Sequence, residues 1–260
     1  MAKQVIPKDE MRALFAESLL SESSDIKKEY RRRNSKVDKL KVRHSDVVEY
    51  VEKGWVPGRR LKRDTWLDRP KKHQDQLEDD IWCLLFRMGY DELNGANFQI
   101  PYERPNGSID KKQIDVFAKD NETVLVVECK SSKSRTRRSL QKDLAETVSF
   151  KGQMVRAIRQ YYGSEFKPKI VWIFVTNNII WSEPDMERAA SNQITVLTEN
   201  EVNYYDSYIR HMGPAGRYQV LAELLHGQRI PELEGTKVPA VKGRVGGFTY
   251  FSFVTTPRTL

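Results

Sequence analysis

The stretch Gln113–Lys130, QIDVFAKDNETVLVVECK, constrains the fold of this chain more than any other. Its two apolar runs, Ile114–Ala118 and Thr123–Cys129, flank the polar segment Lys119–Asp120–Asn121–Glu122. β-branched residues in both arms with Asp and Asn between them predict a hairpin. The near-continuous VLVVEC run predicts a strand buried on both faces rather than a solvated edge. Three side chains do not suit a plain buried hairpin: Asp115 in the first arm, and Glu128 and Lys130 at the end of the second. Strand side chains alternate with period two, so Glu128 and Lys130 share a face, roughly 6–7 Å apart along the strand. Folding at Asp120–Asn121 returns the second arm past the first and brings Asp115 near Glu128. Two carboxylates and an ammonium then meet in a buried place where unpaired charge is costly. A divalent metal is the simplest partner that would stabilise them.

The other titratable residues point nowhere else. Only Cys83 and Cys129 occur, which excludes a disulfide framework. His44, His73, His211 and His226 lack zinc-ligand spacing. No run approaches the roughly 18 apolar residues of a membrane span. The N-terminal MAKQVIPKDEMR lacks the apolar core of a signal peptide, so a cytoplasmic location is expected. The net charge of +8 is uneven, residues 1–75 holding 20 Lys/Arg against 13 Asp/Glu. Such a face favours nucleic acid through phosphate contacts, and equally describes a solvated helix surface.

The helical spacing of Met11, Leu14, Phe15 and Leu19 predicts a helix over 8–33, and Val47, Val48 and Val51 a second over 34–53. An irregular basic connector is expected next, carrying Trp55, Trp66 and the cations Arg59, Arg60, Lys62 and Arg63. Basic residues among aromatics can grip nucleic acid; the two Trp can equally anchor the segment to the main domain. Residues 74–89 form the clearest helix, with a stripe of Leu77, Ile81, Leu84, Leu85 and Met88 and a stop at Gly89. Asn97–Glu103 reads as a first strand, followed by a turn at 105–107. After the hairpin, the segment 131–142 is expected to be a basic loop with Lys133, Arg135, Arg137 and Arg138 at the mouth of the site. Then come a helix over 139–162, a buried strand Lys169–Thr176, a helix Glu183–Ser191 begun at Ser182, a strand Ile194–Leu197, and helices over 199–211 and 215–226.

An upstream Glu, then Asp115, then Glu128-Cys129-Lys130 resembles the PD-(D/E)xK nuclease superfamily, although Ile114 stands where that pattern has Pro. The resemblance implies an α/β restriction-endonuclease-like core, α-βββ-α-β, with a mixed sheet flanked by helices, over residues 74–200. It implies metal-dependent cleavage of DNA. Asp115, Glu128 and the Cys129 carbonyl would ligate Mg2+ or Mn2+, and Lys130 would position or activate the attacking water. The matching upstream Glu is Glu78, with Asp75 and Asp79 as competitors. A Gln on the following helix matches Gln153, with Gln141 and Gln160 as rivals. Around this core the expectation is a basic helical arm over 1–73, a helical extension over 201–230 and a Gly-rich, β-like tail over 231–260. That tail, with EDDIWCLLFRMGYDELN and the ECK stretch, resembles proteins with a DGQHR-type domain behind a nuclease-like one, which implies either the front half of a longer protein or a truncated relative, and a setting in bacterial defence. The partners expected are DNA and, beyond it, a second copy of the chain or other subunits of a defence complex. A silent DNA-binding or sensor module, or an assembly subunit, is the alternative.

Overall fold

The computed structural model describes residues 15, 17–104, 106–163 and 165–224. The first part of the chain forms β1 (Leu19–Leu20), α1 (Ser23–Arg33), β2 (Val37–Arg43), α2 (Val47–Glu52), β3 (Val56–Arg60) and β4 (Asp64–Pro70). There follow α3 (His73–Arg87), β5 (Glu92–Asn94), β6 (Gln99–Glu103), β7 (Ile109–Gln113), β8 (Val116–Lys119) and β9 (Thr123–Arg137). The last elements are α4 (Gln141–Tyr162), β10 (Lys169–Ile180), α5 (Glu183–Ser191), β11 (Ile194–Thr198), α6 (Glu199–Met212) and α7 (Arg217–Leu224).

The expected hairpin is β8–β9, antiparallel from Val116 opposite Val127 to Lys119 opposite Val124. Its turn is closed by Asp120, whose Oδ1 accepts the backbone N–H of Glu122 at 2.8 Å and of Thr123 at 2.6 Å. The hairpin sits inside a six-stranded mixed sheet ordered β1-β5-β8-β9-β10-β11. The neighbours from β1 to β9 run antiparallel, whereas β9, β10 and β11 are parallel. Helices cover both faces, which accounts for the unbroken apolar run in β9. Val124 and Val126 pack with Leu144, Met154 and Ile158 of α4. Leu125, Val127 and Cys129 pack in the opposite core with Ile81, Leu84 and Leu85 of α3. Fully burying each such side chain contributes about 1.5–3 kcal/mol. Helix α3 ends as expected, with Gly89 at φ +83°, a conformation that costs glycine little. Among the described residues no helix is long and apolar enough to cross a membrane.

Several expectations change. The helix over 8–33 is interrupted: of its described residues Phe15 is helical, and β1 intervenes before the shorter α1. The helix over 34–53 becomes strand β2 followed by α2, and the irregular connector becomes β3 and β4. Together they form a three-stranded antiparallel sheet in the order β2-β4-β3. Leu40 and Val42 alternate with Lys39, Lys41 and Arg43, a period of two that a helix cannot use. Leu40 lies opposite the buried Leu67. The basic N-terminal arm is therefore a mixture of helix and sheet. Trp55 packs within it, edge-on to Tyr50 and under the Arg69 guanidinium.

The strand at Asn97–Glu103 is real, but as β6 it pairs only with β7, in a separate two-stranded sheet. The first strand of the main sheet after α3 is the three-residue β5. The segment 131–142 is not a free loop either, because β9 runs on to Arg137. Its pairing with β10 jumps from Ser131 opposite Asn177 to Thr136 opposite Ile179, so Ser132–Arg135 bulge out of the ladder. The expected β-like tail, 231–260, lies outside the described residues.

Candidate active site

Asp115 sits just before β8, at the end of the hairpin, and its Oδ2 accepts the backbone N–H of Cys129 at 2.7 Å. That bond brings the first carboxylate to the Glu128–Lys130 end of β9. Its backbone is held as well. The buried Asn94 donates its side-chain amide to the Asp115 carbonyl at 3.2 Å and accepts the Phe117 N–H at 2.9 Å. Trp82 of α3 donates to the Asn94 carbonyl at 2.8 Å. The helix, the short strand β5 and the hairpin are thus tied together at this carboxylate.

Glu128 is buried, and its Oε1 has no hydrogen-bond partner. Its Oε2 lies 3.6 Å from the Lys130 ammonium. Burial, and next the charge of Asp115, push the Glu128 carboxyl up to about 7, against the pull of Lys130 and Lys112. Asp115 is raised as well, by burial, although the Cys129 N–H, Lys130 and Lys112 favour its charged form. The Cys129 side chain is buried in the opposite core.

Glu78 on α3 joins this group. Burial first, and then Asp115, raise its carboxyl to about 7, while Gln74 donates to it at 3.4 Å. The competitor Asp79 has another task. It is buried between Arg33, at 3.0 Å, and Lys71, at 2.6 Å. Lys71 also donates to the carbonyls of Arg32 and Arg33. Asp79 therefore clamps α1 and the end of β4 onto α3, and Asp75 stays exposed.

Gln153 is turned onto its own helix. With its amide nitrogen toward α4, it donates to the Ser149 and Phe150 carbonyls of its own helix at 3.2 Å. The residue that α4 contributes is Glu146, which binds Lys112 at 2.6 Å. Lys112 acts electrostatically on Asp115 and Glu128. Neither Lys112 nor Glu146 stands out in sequence. At the far edge, His73 Nδ1 lies 2.7 Å from Ser131 Oγ.

Lys133, Arg135, Arg137 and Arg138 are exposed beyond Lys130 along β9 and just past its end. Arg59, Arg60, Lys62 and Arg63 are exposed on the β3–β4 hairpin, and no described contact ties them to the carboxylates.

Among the described residues no three His, Cys, Asp or Glu side chains close on one metal-sized position. What this end of the hairpin offers is two carboxylates, one with a buried oxygen lacking any donor. Oxygen-only donors of this kind fit a hard divalent cation.

No protein-family model and no curated protein matches the chain. Solved structures that it resembles include the protein VC1899 from Vibrio cholerae, at 13% identity and a TM-score of 0.37, over 78% of this chain and 52% of that one. Another is Can2 from Sulfobacillus thermosulfidooxidans in complex with cyclic tetra-adenylate, at 12% identity and a TM-score of 0.35, over 78% and 55%. The chain spans about half the length of either. Likeness this distant does not extend to residues or activity.

Proposed function

We propose that this chain carries a restriction-endonuclease-like core and hydrolyses phosphodiester bonds in DNA, as an endonuclease dependent on Mg2+ or Mn2+. One observation carries the reading: the Asp115–Cys129 bond that sets a second carboxylate beside Glu128, whose Oε1 is buried and unpartnered. With the separate β6–β7 sheet as an insertion, the main-sheet run α3, β5, β8, β9, α4, β10 has an α-βββ-α-β order and supports it, with β5 in the place that the sequence resemblance gave to Asn97–Glu103. Asp115 and Glu128 would hold the cation with the Cys129 carbonyl, and Glu78 would reach it directly or through water. Bound there, a divalent cation supplies Lewis acidity to water and to the scissile phosphate.

The protein's own groups do the rest. Lys130, partly exposed and 3.6 Å from Glu128, can hydrogen-bond a phosphate oxygen or orient the attacking water. Lys112, held by Glu146, helps keep both carboxylates ionised. The exposed cations along β9 would guide the phosphodiester backbone, and a setting in bacterial defence follows from the sequence resemblance.

The test is incubation of the purified chain with plasmid, linear duplex and single-stranded DNA in Mg2+, Mn2+ or EDTA. Cleavage in either cation and none in EDTA is expected. No metal-dependent cleavage of any DNA form would contradict the reading and favour a silent DNA-binding module.

A further inference from the structure

A cleft of about 620 Å3 opens where β9 and β10 end, lined by Arg137, Arg138, Gln141, Trp181 and Arg188 among others. It is distinct from the carboxylate site but lies on the same pair of strands. Lys130 is opposite Thr176 on β10, and Arg137 is opposite Ile180. The four residue steps from Thr176 to Ile180 span at most about 13 Å at roughly 3.3 Å per residue.

Trp181 is the fixed feature of the cleft. Its Nε1 donates to Thr176 Oγ1 at 2.8 Å, and its ring stands edge-to-face with Phe174 at 5.7 Å. The ring is nevertheless only half-buried. Thr176, the residue opposite Lys130, therefore also sets the orientation of Trp181.

The charges around it are unequally committed. Arg137 is exposed and makes no ion pair or side-chain hydrogen bond among the described residues. Arg138 reaches Asp143 at 3.2 Å from an exposed position. Asp185, the buried acid in the wall, is satisfied by the Leu140 N–H, Ser182 Oγ and Arg188. Glu183, at the rim, is the remaining acid of the lining. A half-exposed indole near the uncommitted Arg137 guanidinium, with the exposed Arg138 alongside, is a stacking platform with phosphate ligands. The volume lies in the range of small-molecule sites.

We propose that this cleft takes an unpaired nucleotide of the DNA strand that passes Lys130, its base against Trp181 and its phosphates on Arg137 and Arg138. The path of the strand past Lys130 rests on the nuclease reading. In an intact duplex both faces of a base are stacked on neighbouring bases, so an aromatic at the cleft wall cannot reach them. The substrate class that follows is single-stranded or locally unpaired DNA, with little sequence preference, because every base has a face to stack.

The experiment is fluorescence anisotropy of a labelled short single strand and of its duplex, in EDTA, so that binding is read with no cleavage. Trp181→Ala is expected to weaken single-strand binding by roughly 5- to 150-fold, the range for removing one base–aromatic stack, with duplex binding within about two-fold. Trp181→Phe should retain most of the single-strand affinity. Arg137→Gln with Arg138→Gln, both exposed, should cost the single strand at least five times more than the duplex. Should Trp181→Ala fail to fold for want of its bond to Thr176, this Arg pair and Trp181→Phe decide alone. Unchanged single-strand affinity, or equal losses on both DNA forms, would overturn the proposal. A chain that cleaves nothing yet shows the selective losses would lose the nuclease reading and keep the cleft.

Discussion

The carboxylate of Asp115 is tied by its Oδ2 to the backbone N–H of Cys129 at 2.7 Å, across the open end of the β8–β9 hairpin. A residue outside the ladder is thereby fixed beside one inside it. The cost is two carboxylates in one poorly hydrated place, with Glu128 short of a hydrogen-bond donor. The charge of such a site is visible in stability as well as in chemistry.

Without metal, the raised carboxyls make the folded state bind more protons than the unfolded one. Glu128 and Glu78, both lifted from 4.5 to about 7, cost nothing below 4.5. Their cost grows through that window and is complete above about 7. Thermal stability in EDTA should therefore fall as pH rises from about 4.5 to 7. Glu128→Gln should flatten this slope and stabilise the chain at pH 8 by on the order of 1–3 kcal/mol. Thermal denaturation of both proteins at pH 5 and pH 8 checks it; a wild type that gains stability across the window would contradict it.

Glu78 and Asp79 are adjacent on α3 but should behave in opposite ways. Asp79→Ala leaves Arg33 and Lys71 without their shared buried partner, and losing one member of a buried ion pair costs about 3–5 kcal/mol. Glu78→Gln should keep the wild-type melting temperature or raise it, and slow cleavage. Denaturation and rate measurements on both variants separate the two acids.

Much of this was legible in the sequence. The α3 stripe, the hairpin and the buried strand at Lys169 carry strong periodicity over several residues, and each forms where that periodicity puts it. The 34–70 segment was not legible because its alternation is written mostly in charged residues, with only Leu40, Val42 and Leu67 to mark a buried face. Strands β1 and β5 are two and three residues long, too short to show a period. Lys112, Glu146 and Asn94 lie 16, 18 and 34 residues from Glu128 in sequence and meet the site only through tertiary contacts. Helical spacing also does not say whether the Gln153 amide turns outward or back onto its own helix, where it bonds Ser149 and Phe150.

Lys112 is one of the residues near the site that only the fold reveals. Its ammonium favours the charged forms of Asp115 and Glu128. Lys112→Met should raise both carboxyls further and move the acidic limb of the cleavage–pH profile upward. An unmoved limb would confine Lys112 to its pair with Glu146.

The exposed β3–β4 hairpin tests whether the arm touches DNA. Replacing Arg59, Arg60, Lys62 and Arg63 with Gln should weaken duplex binding. It should also reduce the slope of log K against log salt by about 0.9 for each phosphate that is no longer neutralised. An unchanged slope would mean that this hairpin does not meet the backbone.

The central claim is that the Asp115, Glu128 and Lys130 cluster breaks phosphodiester bonds, and single-turnover cleavage by Lys130→Met tests it most directly. Methionine keeps much of the apolar stem and removes the charge that stands 3.6 Å from Glu128. The account predicts a folded protein whose DNA affinity in EDTA is near wild type and whose metal-dependent cleavage rate is lower by at least about two orders of magnitude. A Lys130→Met protein that cleaves within a few-fold of wild type would contradict it.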